Sequence, residues 1–272
     1  PYAVRRQRLL GKLALENEDF DGASKAYRQA VSQGQFSRFK DPETNLGFAQ
    51  ALISRGGERG LDARTRVEIN QTLTEVAKEN GNDAGLQVRA RLMKATSVAS
   101  SDPEMAAKLT EQAMERLEGM EQFLSADAAL AVASQLKALG QEDAGAGILK
   151  SCAEIYGDDP QVMQNIARQT DDPEILGAGK AAIDFNIQGI RCYRAGKLGE
   201  AQDLFRQGLA LQPKNISIAL NMAQSLLHMG VHNLDAASLA ECQNSLKMVG
   251  KMPESDARFE RFQKLRLRAF GE

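Results

Sequence analysis

Three basic residues near the start of the sequence, Arg5, Arg8 and Lys12, are the first candidates for binding chemistry. Their spacing of three and four residues places them on one face of an α-helix. Arginine and lysine held on one face can bind a carboxylate or an acidic segment by charge-assisted hydrogen bonds. The alternative, which we favour on the sequence alone, is a solvated basic face balanced by nearby acidic residues, namely Glu16, Glu18, Asp19 and Asp21.

Other residue types that could do chemistry lack the spacing that the chemistry requires. His228 and His232 could be two metal ligands on a helix, but Gly230 lies between them and no third ligand is near. The paired aspartates at 158–159 and 171–172 each precede a proline and a helical pattern, so capping explains them. We therefore predict that the chain is not an enzyme and has no metal or cofactor. The cysteines are also too scattered for a CxxC or zinc motif: Cys152, Cys192 and Cys242.

Composition narrows the class of protein. Of 272 residues, 43% are hydrophobic and 26% charged, which is typical of a folded chain. Aromatic residues make up only 5%, with no Trp, which favours helices over strands. The net charge of −2 argues against nucleic acid as a partner, and no apolar stretch is long enough for a membrane span. Scattered cysteines without a signal sequence predict a cytoplasmic location.

Prolines mark the boundaries of a helical pattern. Four of the seven follow aspartate, and Asp at the N-cap with Pro in the first turn is a helix-start signal. Between these marks, apolar residues recur every three or four positions. The pattern predicts an all-α chain with helices near 3–17, 20–33, 42–55, 64–79, 84–99, 103–119, 126–139, 142–156, 160–169, 179–195, 198–211, 216–229, 235–249 and 254–270.

The connectors predict how these helices are organised. Most are short, so successive helices are expected to form antiparallel hairpins. A segment over 170–179 contains Pro173, Gly177 and Gly179, which disfavour a helix. We predict a hinge there. It divides one continuous array into an N-terminal helical-repeat part, 1–170, and a C-terminal part, 171–272.

A period near 34 residues is clearest over 182–215. A small residue on the first helix, Gly189, is followed on the second by small and aromatic residues and then by a proline, in the order Ala201, Phe205, Gly208 and Pro213. The same offsets recur at the N-terminus in Gly11, Ala23, Tyr27 and Ala30. This pattern resembles the tetratricopeptide repeat (TPR), in which small residues let helices approach and aromatic residues fill the gap between them. The repeats in between match less well.

The resemblance implies a TPR-like solenoid of antiparallel helical hairpins, with a concave groove lined by the first helix of each pair. In the family, the positions of Arg5, Arg8 and Lys12 face that groove. Asn45 in the next repeat and Arg91 in the third would add donors to it. The corresponding face of the second well-matched repeat carries Asn186, Ile190 and Tyr193. These eight residues are the predicted partner-binding set.

An array of this kind needs a cap over its last apolar face. Residues 256–270 fit a C-terminal capping helix, because aromatic side chains can pack inward while basic ones stay in solvent. The inward set is Phe259, Phe262 and Phe270, and the solvated set is Arg258, Arg261, Lys264 and Arg268.

Taken together, these patterns predict a protein-protein interaction scaffold that binds a peptide or protein partner in its groove. The chain also resembles the helical-repeat region that follows a receiver domain in some bacterial response regulators. That resemblance implies an output or regulatory part of a longer signalling protein, which fits a sequence that begins at Pro1 without an initiator Met. A helical-repeat RNA-binding module is the alternative, and homo-oligomers remain open.

Overall fold

The computed structural model describes residues 2–34, 41–57, 60–79, 83–119, 124–230, 234–250, 252 and 256–271. All regular secondary structure within these ranges is helical, so the predicted all-α class is confirmed. The helices are α1 (Tyr2–Glu16), α2 (Phe20–Gly34), α3 (Pro42–Gly56), α4 (Ala63–Glu79), α5 (Ala84–Val98), α6 (Pro103–Leu117), α7 (Ala126–Ala138), α8 (Glu142–Tyr156), α9 (Pro160–Ala167), α10 (Pro173–Arg194), α11 (Leu198–Leu211), α12 (Ile216–Leu226), α13 (Ala236–Val249) and α14 (Phe259–Phe270). A 3₁₀ turn, Leu227–Met229, follows α12 directly.

Four helices begin at the predicted Asp-Pro pairs. In each case the aspartate is the N-cap, and its carboxylate accepts a hydrogen bond from a backbone N–H in the first turn. The proline that follows loses nothing there, because the first N–H groups of a helix have no partner within the helix. The capping aspartates are Asp41, Asp102, Asp159 and Asp172.

One helix start was predicted wrongly. The tenth helix was expected to begin near 179, but α10 begins at Pro173 and runs without a break to Arg194. The two glycines that suggested irregular structure are tolerated inside it. Gly179 is where Met163 of α9 approaches, since an added Cβ would lie 2.2 Å from the Met163 methyl carbon. The connector between α9 and α10 is therefore 168–172, while the predicted hinge over 170–179 and the boundary at 170 stay predictions.

The chain forms two compact units, each of which is described by itself. Unit 1 covers 1–120 and 134–145, and unit 2 covers 121–133 and 146–272. In unit 1, each helix from α1 to α5 packs on the helix that follows it. In addition, α3 contacts both α1 and α5. In unit 2, helices α9 to α14 follow the same scheme, with further contacts of α10 with α12 and of α12 with α14. This is the predicted arrangement of helical hairpins.

The core of unit 1 is organised around Tyr27. Its ring lies between α1 and α3, at Gly11 and Gly47, where an added Cβ would come within 2.7 Å and 2.5 Å of ring atoms. Burial raises the pKa of the Tyr27 hydroxyl. The aromatic and small residues of the TPR-like pattern therefore do meet, and the remaining core is aliphatic.

The core of unit 2 repeats this packing at Phe205, which lies against Gly189 of α10. The aliphatic cluster continues through α12 and α13 to α14, whose buried side chains are Phe262, Leu265 and Ala269. The C-terminal capping helix is therefore confirmed. Its basic residues, however, do not all stay in solvent as predicted.

The Phe205 contact generates a stability prediction. Gly189→Ala places a methyl group 2.5 Å from a ring carbon of Phe205 and should destabilise the protein by about 1–3 kcal/mol through overpacking. Gly177→Ala in the same helix meets no atom within 4 Å and should stabilise it by about 0.5–1 kcal/mol through helix propensity. Urea unfolding of both variants measures the difference. Equal and small effects at the two positions would contradict the close packing described here.

Candidate functional site

On the predicted basic face of α1, one of the three positive charges is paired with a carboxylate. Arg5 and Lys12 are exposed, as expected for residues that could meet a partner. Arg8 instead donates to the carboxylate of Asp41 at 2.5 Å, and Thr44 donates to the same carboxylate at 2.9 Å. The Arg8 charge is therefore already compensated by a residue of unit 1, the N-cap of α3.

On α5, the arginine that reaches a neighbouring first helix lies two residues before the predicted one. Arg89, not Arg91, reaches α3, where it donates to both carboxylate oxygens of Glu43 at 2.6 Å and 3.0 Å. Two residues correspond to about 200° around a helix, so Arg91 lies on nearly the opposite side of α5. It lies near Lys94, whose pKa is lowered first by burial and then by the Arg91 charge. The predicted role of Arg91 in partner binding stays a prediction, but Arg91 does not share a side of α5 with Arg89.

Asn45 lies on α3, half-buried, one turn after Asp41. Unit 1 thus presents a face on which acidic and basic groups alternate across α1, α3 and α5. Arg8 and Arg89 are paired with Asp41 and Glu43 at the start of α3, whereas Arg5 and Lys12 are exposed. A face of this kind is less positive than the sequence suggested.

Unit 2 carries a more ordered arrangement, built on a spacing of 35 residues. Asn186 and Tyr193 on α10 correspond to Asn221 on α12 and His228 in the turn after it. The equivalent residues touch. The Asn221 amide donates to the Asn186 carbonyl at 2.6 Å, and the Tyr193 hydroxyl lies 3.0 Å from Nδ1 of His228.

The asparagines belong to a longer row of hydrogen bonds across the first helices of unit 2. At one end, Asn186 donates to Asp158 at 2.8 Å. At the other, Arg261 of α14 donates to Asn221 at 2.7 Å and to Gln224 at 2.9 Å. We call this set, Asp158, Asn186, Asn221 and Arg261, the polar row. Because its side chains are fixed by one another, they lose little freedom when a ligand binds.

A cavity of about 470 Å³ lies beside the polar row. Tyr193 and His228 form one wall, with their rings in an edge-on arrangement at 5.3 Å. The opposite wall is α14, which contributes three basic side chains and one acidic one: Arg261, Lys264, Arg268 and Glu260. Of the predicted residues in this unit, Tyr193 therefore lines the cavity and Ile190 packs on the hydrophobic core. Asn186 is linked to the cavity residue Arg261 through its hydrogen bond with Asn221.

Two basic residues, one just before α14 and one within it, correct the sequence prediction. Arg258 and Arg261 were expected in solvent, but both are half-buried. Arg258 is paired with Asp256 at 2.7 Å and lies over the ring of Tyr156, 5.2 Å from its centroid. Lys264 and Arg268 are exposed as predicted, although Arg268 also donates to the Leu227 carbonyl at 2.6 Å.

The 35-residue spacing of Asn186 with Asn221, and of Tyr193 with His228, is a signal that the sequence contained. Arg261 is harder to find. It follows Asn221 by 40 residues, because the connections on either side of α13 lengthen the repeat.

Several other groups bear on the chemistry of the chain. Burial raises the pKa of Cys152 to about 12 and that of Cys242 to about 11, so both thiols stay protonated near neutral pH. Within the described residues, no group of three or more His, Cys, Asp or Glu side chains is placed to hold a metal ion. No helix in the described part of the chain is both long and apolar enough to cross a membrane.

Comparisons with known proteins were made for the whole chain. No model of a known protein family matches it, and no curated protein sequence matches it. Among solved structures, it is similar to the complex of the TPR2AB domain of yeast Sti1 with pHSP90, at 11% identity and a TM-score of 0.28 over 98% of both chains. At this identity and TM-score, the likeness supports no conclusion about function.

Asp158 generates a pH prediction. Burial raises its pKa in the folded state, which means that the folded protein binds this proton more tightly than the unfolded chain does. Its contribution to stability is therefore present at low pH and is lost as pH rises from the unfolded to the folded pKa. Asp158→Asn should remove this loss, and the variant should be at least as stable as the parent at neutral pH.

Urea unfolding over a pH series measures this effect, and Asp235→Asn provides the control of opposite sign. Hydrogen bonds from the backbone and side chain of Ser238 lower the pKa of Asp235, so its contribution to stability appears as pH rises. Asparagine keeps the cap but should lose that gain. If Asp158→Asn destabilises the protein equally at every pH, the charge of Asp158 is not disfavoured in the fold.

Proposed function

We propose that this chain is a protein-interaction module that binds a peptide segment of a partner across the first helices of unit 2. The observation that carries this proposal is the cavity between Tyr193, His228 and α14, which the polar row reaches through Arg261. Tyrosine and arginine are the residue types that contribute most at protein interfaces, because they combine large contact area with hydrogen bonding. Both are present in this cavity in fixed positions.

The electrostatics of the cavity favour an acidic segment. Three basic side chains and one acidic one line it, so its net charge is positive although the whole chain carries −2. Electrostatic complementarity speeds association and selects partners by charge. We infer that the partner contributes carboxylate or other anionic groups, and that aromatic contacts with Tyr193 and His228 add to its affinity.

The face formed by α1, α3 and α5 in unit 1 is a second proposed contact surface. Arg5 and Lys12 can donate to a partner there, and Asn45 can add an amide. Arg8 is held by Asp41, so reversing its charge would disturb the fold as well as any binding. Arg5 and Lys12 are the residues with which this surface can be tested.

We also propose that the chain acts by binding and not by catalysis, in keeping with two protonated cysteines and the small number of histidines. A regulatory role within a longer, cytoplasmic signalling protein stays a prediction. Sequencing the complete gene tests it, because a receiver domain in the same reading frame is the expected result. Possible homo-oligomers are tested by light scattering.

The unit 2 surface is tested with peptides selected from a random library on the intact chain. Lys264→Glu should weaken the selected peptides by about tenfold or more, because it reverses a charge at the cavity. Lys247→Glu is the matched control, since Lys247 is also exposed but lies on α13, the second helix of its pair. Titration calorimetry measures both. Equal affinities, or selection of RNA in place of peptides in a parallel experiment, would contradict the proposal.

The unit 1 surface has its own test. Replacing Arg5 and Lys12 together by Glu should weaken a partner of this face by about tenfold, with little change in melting temperature because both side chains are exposed. Lys25→Glu on α2 is the control for a charge reversal on a second helix. A partner that binds all of these variants equally must be recognised by another surface.

A further inference from the structure

Two arginines of α14 and the turn before it lie in similar surroundings but differ in their partners. Arg258 and Arg261 are both half-buried. Arg258 is paired with the Asp256 carboxylate. Burial lowers the pKa of Arg258, but Asp256 together with Tyr156 and Asp158 raises it above its ordinary value. Arg261 donates only to the amide oxygens of Asn221 and Gln224, and burial lowers its pKa. Within the described residues, Arg261 has no carboxylate within ion-pair distance.

A cation that has lost water without gaining an anion is costly, so the position of Arg261 calls for an explanation. The polar row does not supply the anion, because two asparagines separate Arg261 from Asp158, and Asp158 lies beside Arg258. Arg261 instead faces the cavity. Its two hydrogen bonds leave other guanidinium N–H groups available to a ligand.

The rest of the cavity points to the same ligand chemistry. Arg268 adds a second guanidinium whose hydrogen bond goes to a carbonyl and not to a carboxylate. Lys264 is paired with Glu260 at 2.7 Å, but both side chains are more than two-thirds exposed, so this pair is weak and can open. Planar guanidinium groups bind oxyanions with two parallel hydrogen bonds.

We propose that the cavity between Tyr193, His228 and α14 is an oxyanion site that takes a phosphoryl or carboxylate group carried by the bound peptide. Arg261, held in place by Asn221 and Gln224, is the principal ligand-binding residue, and Arg268 and Lys264 assist it. Glu260 opposes the anion and sets an upper limit on its affinity. This inference rests on the proposed function for the identity of the carrier, but the oxyanion itself can be tested without a peptide.

The experiment titrates inorganic phosphate, acetate and chloride into the intact chain at constant pH and matched ionic strength. The readout is the ring resonance of His228 in proton NMR. The sequence has only one other histidine, so His232→Gln assigns the signal. We expect a saturable shift with phosphate or acetate that chloride does not produce. The tighter of the two anions identifies whether the natural group is a phosphoryl or a carboxylate.

Three variants make the test specific to Arg261. Arg261→Gln should weaken binding of the anion by about tenfold or more. Arg206→Gln should leave it unchanged, because that arginine is paired with Glu241 and Asp203 elsewhere in unit 2. Glu260→Gln should tighten binding, and this variant keeps the proposal testable even if Arg261→Gln fails to fold.

The proposal is overturned if chloride shifts His228 as much as phosphate and acetate do, or if Arg261→Gln and Arg206→Gln bind the anion equally. It is likewise overturned if Glu260→Gln binds no more tightly. These failures are distinct from failure of the peptide-binding proposal. Peptides that depend on Lys264 without any oxyanion binding would contradict only the oxyanion site, whereas oxyanion binding without any selected peptide would contradict only the peptide-binding function.

Discussion

The contact of an aromatic ring with a glycine is the constraint on which the rest of this structure depends. Tyr27 fills the space beside Gly11 and Gly47, and Phe205 fills the space beside Gly189. Any side chain at these glycines would push two helices apart, and protein interiors tolerate such a displacement poorly. The ring and the glycine together therefore fix how closely the first helix of a pair approaches the second, and with it which residues of neighbouring first helices come into contact.

The polar row follows from that constraint. Hydrogen bonds of 2.6 to 2.8 Å link side chains on three helices and in the turn before α9, which requires the helices to keep one separation and one rotation. Each bond contributes about 0.5–1.5 kcal/mol, so the row cannot assemble the helices by itself. The hydrophobic packing around Phe205 and Ile218 sets the separation and rotation of the helices. The hydrogen bonds of the polar row form only when the helices have that arrangement.

Much of the fold could be predicted because its signals are local. A capping aspartate followed by proline acts within one turn, and the small and aromatic residues of a repeat act at fixed offsets. The start of α10 was missed because the cost of glycine in a helix was weighed without the packing of Met163 on Gly179, which only the folded chain shows. The pairing of Arg89 with Glu43 could not be predicted, because the rotation of α5 depends on its neighbours and a weakly matching repeat does not reveal it.

The candidate site was less predictable than the fold for a related reason. Tyr193 and Asn186 could be named because they belong to the best-matching repeat. The partners that give them a role lie on α12 and α14, where the repeat has lengthened, so a fixed offset no longer finds Arg261. Basic side chains are usually exposed, so a solvated face was predicted for them on α14. Arg258 and Arg261 are half-buried instead, because each of them meets polar groups of an earlier helix.

The polar row also has a direction. An asparagine amide can both donate and accept, so the row can pass through Asn186 and Asn221, but a carboxylate only accepts and a guanidinium only donates. Asp158 and Arg261 therefore stop the row at its two ends, and the orientation of both amides between them is dictated without ambiguity. Because Arg261 can only donate, any group that the row meets beyond it must be an acceptor, such as a carbonyl or an oxyanion. The end of the row at Arg261 therefore favours an acceptor, whereas the end at Asp158 favours a donor.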